Sequence, residues 1–141
     1  MKDKTLLLGI TGGIAAVKIP QLIKLLKKEG VNVVPVMTES ACRIISPKEI
    51  ERISKSHVYK DLFTKEYDTE KILETRQVDH IEIADQADLV VVAPATANVL
   101  AKLAHGIADD FLTTTLLATT CPILLCPSMN VNMWNNPVVQ D

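Results

Sequence analysis

Aromatic residues are scarce: one Trp, two Tyr and two Phe make up 4% of the 141 residues. A core with so few rings must be built from Val, Ile, Leu and Ala. These are the residues of buried parallel strands and the helices that cover them. Cysteine is scarce too. Cys42, Cys121 and Cys126 are too few for a disulfide framework. Cys121 and Cys126 bracket a run that reads as a strand, and their odd spacing sends them to opposite faces. A shared metal ion is therefore not expected. No apolar run is long enough to span a membrane. Thr5–Ile10 is too short for a signal-peptide core, and no small-residue cleavage site follows it. The expectation is a cytoplasmic protein with no membrane partner. Neither sign of charge dominates, with 15 basic against 17 acidic residues and a net charge of −2. That balance implies no strongly basic face and argues against a nucleic-acid partner.

What is present is a regular alternation. Apolar residues make up 48% and charged residues 23%, a composition for a folded chain whose length suits one domain. Thr5–Ile10 reads as a strand covered on both faces. Thr11-Gly12-Gly13 reads as a turn. Ile14–Glu29 has helical spacing, with Ile14, Val17, Leu22, Leu25 and Leu26 as its apolar residues and Lys18, Lys24, Lys27 and Lys28 on its exposed face. Gly30 ends it, and Pro20 should kink it. Val31–Met37 is a second strand. Thr38–Ile45 opens a helix. Ser46-Pro47-Lys48-Glu49 has capping-box form before a short helix through Ile53. Residues 56–78 are polar and irregular, anchored by Tyr59, Leu62 and Phe63. Then follow a helix over His80–Ala87 and a strand over Leu89–Ala93 ended by Pro94. A helix over Ala97–His105 ends at Gly106. Asp109 or Asp110 caps a helix to about Thr119, and Pro122–Cys126 is the fourth strand. Pro127–Asn136 reads as a polar loop or short helix. Alternating strands and helices predict a three-layer α/β fold with a parallel sheet, Rossmann-like or flavodoxin-like.

In such sheets ligands gather outside the carboxyl ends of the strands, which selects four loops. The first, from Thr11 through Gly12, Gly13 and Ile14, would let backbone N–H groups approach an anion, with the Thr11 hydroxyl as a further donor. It is neither a G-x-G-x-x-G nor a Walker loop, and a plain βα turn would explain it equally. The second, Thr38-Glu39-Ser40, offers two hydroxyls. Glu39 could serve a ribose, and a helix cap is the alternative. The third, Ala93-Pro94-Ala95-Thr96-Ala97-Asn98, combines small residues, against which a flat ring could lie, with polar Thr96 and Asn98. The fourth, Pro127–Trp134, sets the amide of Asn130 among Met129, Met133 and the sole Trp. His80 stands apart as a residue able to exchange a proton near neutral pH. His57 and His105 read as surface residues.

Four motifs in order carry a family resemblance. They are Gly12-Gly13-Ile14-Ala15-Ala16, Asp79-His80-Ile81-Glu82, Ala93–Asn98 continuing to Asp110, and Pro127-Ser128-Met129-Asn130-Val131-Asn132-Met133-Trp134. Together they resemble the homo-oligomeric flavin-containing cysteine decarboxylases over nearly the whole chain. The resemblance implies FMN as cofactor, contacted by Gly12, Gly13, Ile14, Thr38, Ser40, Thr96, Ala97, Asn98, Val99 and Ser128. It implies His80 and Asn130 as catalytic residues, with Asn130 and Met133 at the substrate. It implies trimers, or assemblies of trimers, whose pocket a neighbouring subunit completes. The pantothenoyl branch is the most similar. It implies decarboxylation of 4′-phosphopantothenoylcysteine to 4′-phosphopantetheine in coenzyme A synthesis. Peptidyl-cysteine decarboxylation, flavin prenyl transfer and a non-catalytic FMN-binding role are the alternatives. That branch carries a substrate-covering segment with a cysteine after the last motif. The sequence stops at Asp141, so the expectation is one flavoprotein domain over residues 1–141 without that segment.

Overall fold

The structure, a computed structural model, describes residues 2–60 and 79–141, and gives only the backbone of Asp79 and His80. Leu62 and Phe63, expected as anchors, lie outside the described residues. Four strands form one parallel sheet: β1 (Thr5–Ile10), β2 (Asn32–Met37), β3 (Leu89–Ala95) and β4 (Ile123–Pro127), in the order β2-β1-β3-β4. This is the flavodoxin-like order among doubly wound sheets. The helices are α1 (Ile19–Lys28), α2 (Glu39–Cys42), α3 (Pro47–Ser54), α4 (Asp79–Gln86), α5 (Ala97–Ala104), α6 (Phe111–Ala118), α7 (Val131–Trp134) and α8 (Pro137–Gln140).

The three layers follow from the period-two alternation of β1. Leu6, Leu8 and Ile10 point to one face, where Ile19 and Ile23 of α1 and Ile50 of α3 cover them. Leu7 points to the other face, among Ile83 of α4, Val99 of α5 and Phe111, Leu112 and Leu116 of α6. Gly9 also belongs to that second face. A Cβ there would come within 2.6 Å of Leu112 Cδ1, so glycine lets α6 press close to the sheet. Burying such a leucine contributes about 1.5–3 kcal/mol.

Several local expectations change. Ile14–Glu29 is not one kinked helix. A 3-10 turn over Ile14–Lys18 precedes α1, and Pro20 sits in the first turn of α1. There its missing N–H has no intrahelical partner to lose. The tighter turn also shifts the helical phase. Ile14, Val17 and Leu25 are consequently exposed, while Ala16, Ile19 and Ile23 enter the core. Lys27 is not a free surface charge, because its ammonium donates to Ser54 O at 2.7 Å and ties α1 to α3. Ser46 starts α3 without a side-chain cap, so the expected box does not close. Pro94 does not end β3. The strand runs to Ala95 through a register shift between Val92 and Ala95, and an irregular stretch of this kind tolerates proline. Gly30 and Gly106 take φ of 77° and 66° just after α1 and α5. Asp110 caps α6 in a full capping box with Thr113.

Candidate functional site

The chain leaves β1 toward one face of the sheet and β3 toward the other, since α1 and α5 pack on opposite sides. A crevice opens where the two paths diverge. The structure places a cavity of about 890 Å3 there. Thr11 and Gly12 line it after β1, Thr38, Glu39, Ser40 and Cys42 after β2, and Thr96, Ala97, Asn98 and Val99 after β3. Lys60, Lys102, Asp109, Asp110, Phe111 and Met133 complete the described lining. The size falls within the usual range for small-molecule sites.

Close packing between loops holds this arrangement. A Cβ on Gly12 would overlap Ser40 Cβ and stand 3.2 Å from the Ser40 carbonyl carbon. A Cβ on Gly13 would stand 3.2 Å from Pro94 Cγ and 3.6 Å from Thr96 Cγ2. The two glycines thus let the first loop lie against the second and third. Thr11 differs from expectation. Its hydroxyl is buried, donates to Pro94 O at 2.5 Å and accepts from Thr96 N at 3.2 Å, so its proton is engaged within the protein. Thr38 and Thr96 cap α2 and α5 by accepting from Ala41 N and Val99 N. An α-helix leaves its first N–H groups without intrahelical acceptors, so Ala97 and Asn98 present donors at the cavity. The positive end of α5 lies there as well.

The charges are mixed. Glu39 is exposed and accepts from Arg43 Nη2 at 2.6 Å. Lys102 Nζ stands 2.7 Å from Asp109 Oδ1 and 3.9 Å from Asp110 Oδ2. The hydrogen bond from Lys102 lowers the Asp109 pKa below its ordinary value, against the opposing effect of desolvation. Among the described residues no group of three or more His, Cys, Asp or Glu is placed to hold a metal ion. Among them, too, no helix is long and apolar enough to cross a membrane.

Of the residues expected at a cofactor, Gly12, Thr38, Ser40, Thr96, Ala97, Asn98 and Val99 line this cavity, and so does Met133, expected at the substrate. Gly13 and Ser128 are not part of the described lining. Gly13 packs on Pro94, and Ser128 N donates to Ala95 O at 3.0 Å. Ile14 is 87% exposed and is not part of the described lining. Asn130 caps α7, its Oδ1 accepting from Asn132 N at 2.8 Å, and its amide group keeps its donors. The backbone puts His80 in the first turn of α4. Sequence reasoning passed over Cys42, Lys60 and Phe111. Cys42 was readable three residues after Glu39 on one helical face. Lys60 reaches the site because Tyr59 bridges Val36 at the edge of β2, a long-range pairing with no local signal.

The fold and cavity together define a doubly wound α/β domain with a ligand site at its topological switch point. The chain belongs to the Flavoprotein family, whose profile matches residues 1–141. It is 46% identical over 140 residues to the coenzyme A biosynthesis bifunctional protein CoaBC of Bacillus subtilis (strain 168), covering 99% of this chain and 33% of that protein. It is 41% identical to the CoaBC protein of Mycolicibacterium smegmatis, over 98% of this chain and 31% of that one. The chain therefore spans about a third of the length of these curated relatives. Among solved structures, the FMN-dependent cysteine decarboxylase SpaF superposes with a TM-score of 0.87 at 37% identity, covering 98% of this chain and 75% of that one. A PPC decarboxylase mutant complexed with pantothenoylaminoethenethiol superposes with a TM-score of 0.79 at 31% identity, covering 99% and 74%.

Proposed function

We propose that this chain binds FMN in the switch-point cavity and decarboxylates 4′-phosphopantothenoylcysteine to 4′-phosphopantetheine in coenzyme A synthesis. The observation that carries the reading is the convergence of Gly12, Thr38, Ser40 and the 96–99 segment on one hollow. The donor set fits the group. Backbone N–H groups at the start of α5 suit a phosphate. Small residues at Gly12, Ser40 and Ala97 leave room for a flat ring system, and Val99 and Phe111 give it an apolar wall. The similarity to CoaBC, higher than that to the cysteine decarboxylase SpaF, favours the pantothenoyl substrate over a peptide.

Bound there, FMN would supply a reversible two-electron carrier, taking electrons from the carbon bearing sulfur ahead of CO2 loss and returning them to the decarboxylated product, so that the conversion to 4′-phosphopantetheine is redox-neutral overall. The Thr96–Asn98 backbone and hydroxyl groups would hold it. His80 would exchange the proton released in that oxidation. The Asn130 amide would donate to the substrate carboxylate and orient it, and Met133 would press on the apolar part of the substrate. A carboxylate so shielded from water is less stable and leaves more readily as CO2. The protein would work in the cytoplasm as a trimer or an assembly of trimers. Exposed Ile14, Val131 and Trp134 offer apolar surface for the neighbouring subunit that completes the pocket.

The test is to purify the protein, record its visible spectrum and follow CO2 on adding 4′-phosphopantothenoylcysteine. A C-terminal cysteine peptide serves as the competing substrate. A flavin spectrum with CO2 from the first substrate is expected. A colourless protein that takes up no FMN would end the reading, and CO2 from the peptide alone would move it to peptidyl-cysteine decarboxylation. Size-exclusion chromatography checks the trimer.

A further inference from the structure

We propose that Thr11 is a positioning residue whose buried hydroxyl sets the β3–α5 loop, and through it the donors that face the cavity. The β3 ladder shifts register between Val92 and Ala95. Pro94 O and Thr96 N flank Ala95 at that irregularity, and a single hydroxyl serves both. Thr11 Oγ1 donates to the first at 2.5 Å and accepts from the second at 3.2 Å. Thr11 is 2% exposed, so its hydroxyl is shielded from water. Directly beyond, Thr96 Oγ1 accepts from Val99 N at 3.4 Å and starts α5. On the other side, Ala95 O accepts from Ser128 N at 3.0 Å, which brings in the β4 loop. Thr11 is thus the joint between the loops that follow β1 and β3, and Ala95 O carries the link on to the loop after β4.

A hydroxyl engaged on both sides by the protein keeps no proton for a ligand. Its effect on a bound molecule passes through Thr96, Ala97 and Asn98. Valine has almost the same shape as threonine but offers neither bond, and would take from Pro94 O and Thr96 N the partner that Thr11 supplies. Serine keeps both bonds and loses only a methyl group.

The part of this inference that concerns FMN rests on the function proposed above, and the experiment separates the two. Amide hydrogen exchange is measured in FMN-free wild type, Thr11→Val, Thr11→Ala and Thr11→Ser, and FMN affinity is measured by fluorescence quenching. Thr11→Ala is a second hydroxyl-free variant in case Thr11→Val does not fold. Loss of one well-placed buried hydrogen bond corresponds to about tenfold in an equilibrium. The hydroxyl-free variants should therefore exchange at Thr96 and Val99 about tenfold faster, with Ile23 in the opposite core unchanged. FMN affinity should fall by about the same factor, and Thr11→Ser should restore both. Uniform acceleration that includes Ile23, or a serine variant as impaired as valine, would overturn the positioning role. Faster exchange with unchanged FMN affinity would overturn its link to the cofactor. Wild type that binds no FMN would defeat the proposed function, while the exchange data still decide the role of Thr11.

Discussion

Lys102 and Asp109 face each other at 2.7 Å across the turn that Gly106 makes after α5, and the pair forms one wall of the cavity. The hydrogen bond from Lys102 is the main reason the Asp109 carboxyl is held below its ordinary value. A carboxyl lowered in this way favours the folded loop at every pH above its unfolded value. The contribution fades as pH falls through the lowered value. Carbon NMR should show Asp109 still ionised where free aspartates have begun to protonate. Lys102→Met should return it to the usual range. The same titration in both proteins would show that the pair does not act in solution.

Glycine substitutions should separate two kinds of close contact. A Cβ on Gly9 meets the tip of Leu112, a side chain that can turn aside. A Cβ on Gly12 meets Ser40 at its Cβ and backbone, which cannot. Gly12→Ala should destabilise by about 1–3 kcal/mol through overpacking, and Gly9→Ala by less. Denaturant midpoints check the order. A Gly9→Ala midpoint lower than that of Gly12→Ala would reverse the argument.

Asp110 accepts from Thr113 N at 2.7 Å and from Thr113 Oγ1 at 2.8 Å, closing the start of α6. Asp110→Ala should cost about 0.5–2 kcal/mol, while Asp110→Asn, which keeps an acceptor, should cost little. Thermal melts of the two variants make the comparison.

If His80 manages the proton of the oxidative step, His80→Asn should abolish CO2 release and leave the flavin spectrum in place. A proton-transfer group contributes about 10²–10⁴-fold to a rate. Near-normal turnover in that variant would remove His80 from the mechanism.

What was legible from sequence follows the range of each signal. Thr5–Ile10 could be read as a buried strand because no residue in it after Thr5 carries a polar side chain. Asp110 could be read as a cap because its partner lies three residues on. The sequence position of Pro20 could not show whether it interrupts a helix or starts one. That depends on the 3-10 turn before it. Pro94 looked like a strand end because its survival within β3 depends on pairing with β4, which lies beyond local sequence. The site was legible loop by loop, through Thr38, Thr96 and the 97–99 segment. The lining by Lys60 and the inward bonds of Thr11 were not, since both depend on residues far along the chain.

The divergence of α1 and α5 to opposite faces means that the hollow owes its existence to connectivity rather than to missing bulk. Asn98 and Met133 hang on its rim, exposed, and Met133 belongs to neither packing cluster. Rim positions of this sort can be exchanged with small effect on cohesion. A scaffold so divided can be retuned to new ligands while its melting behaviour stays nearly constant.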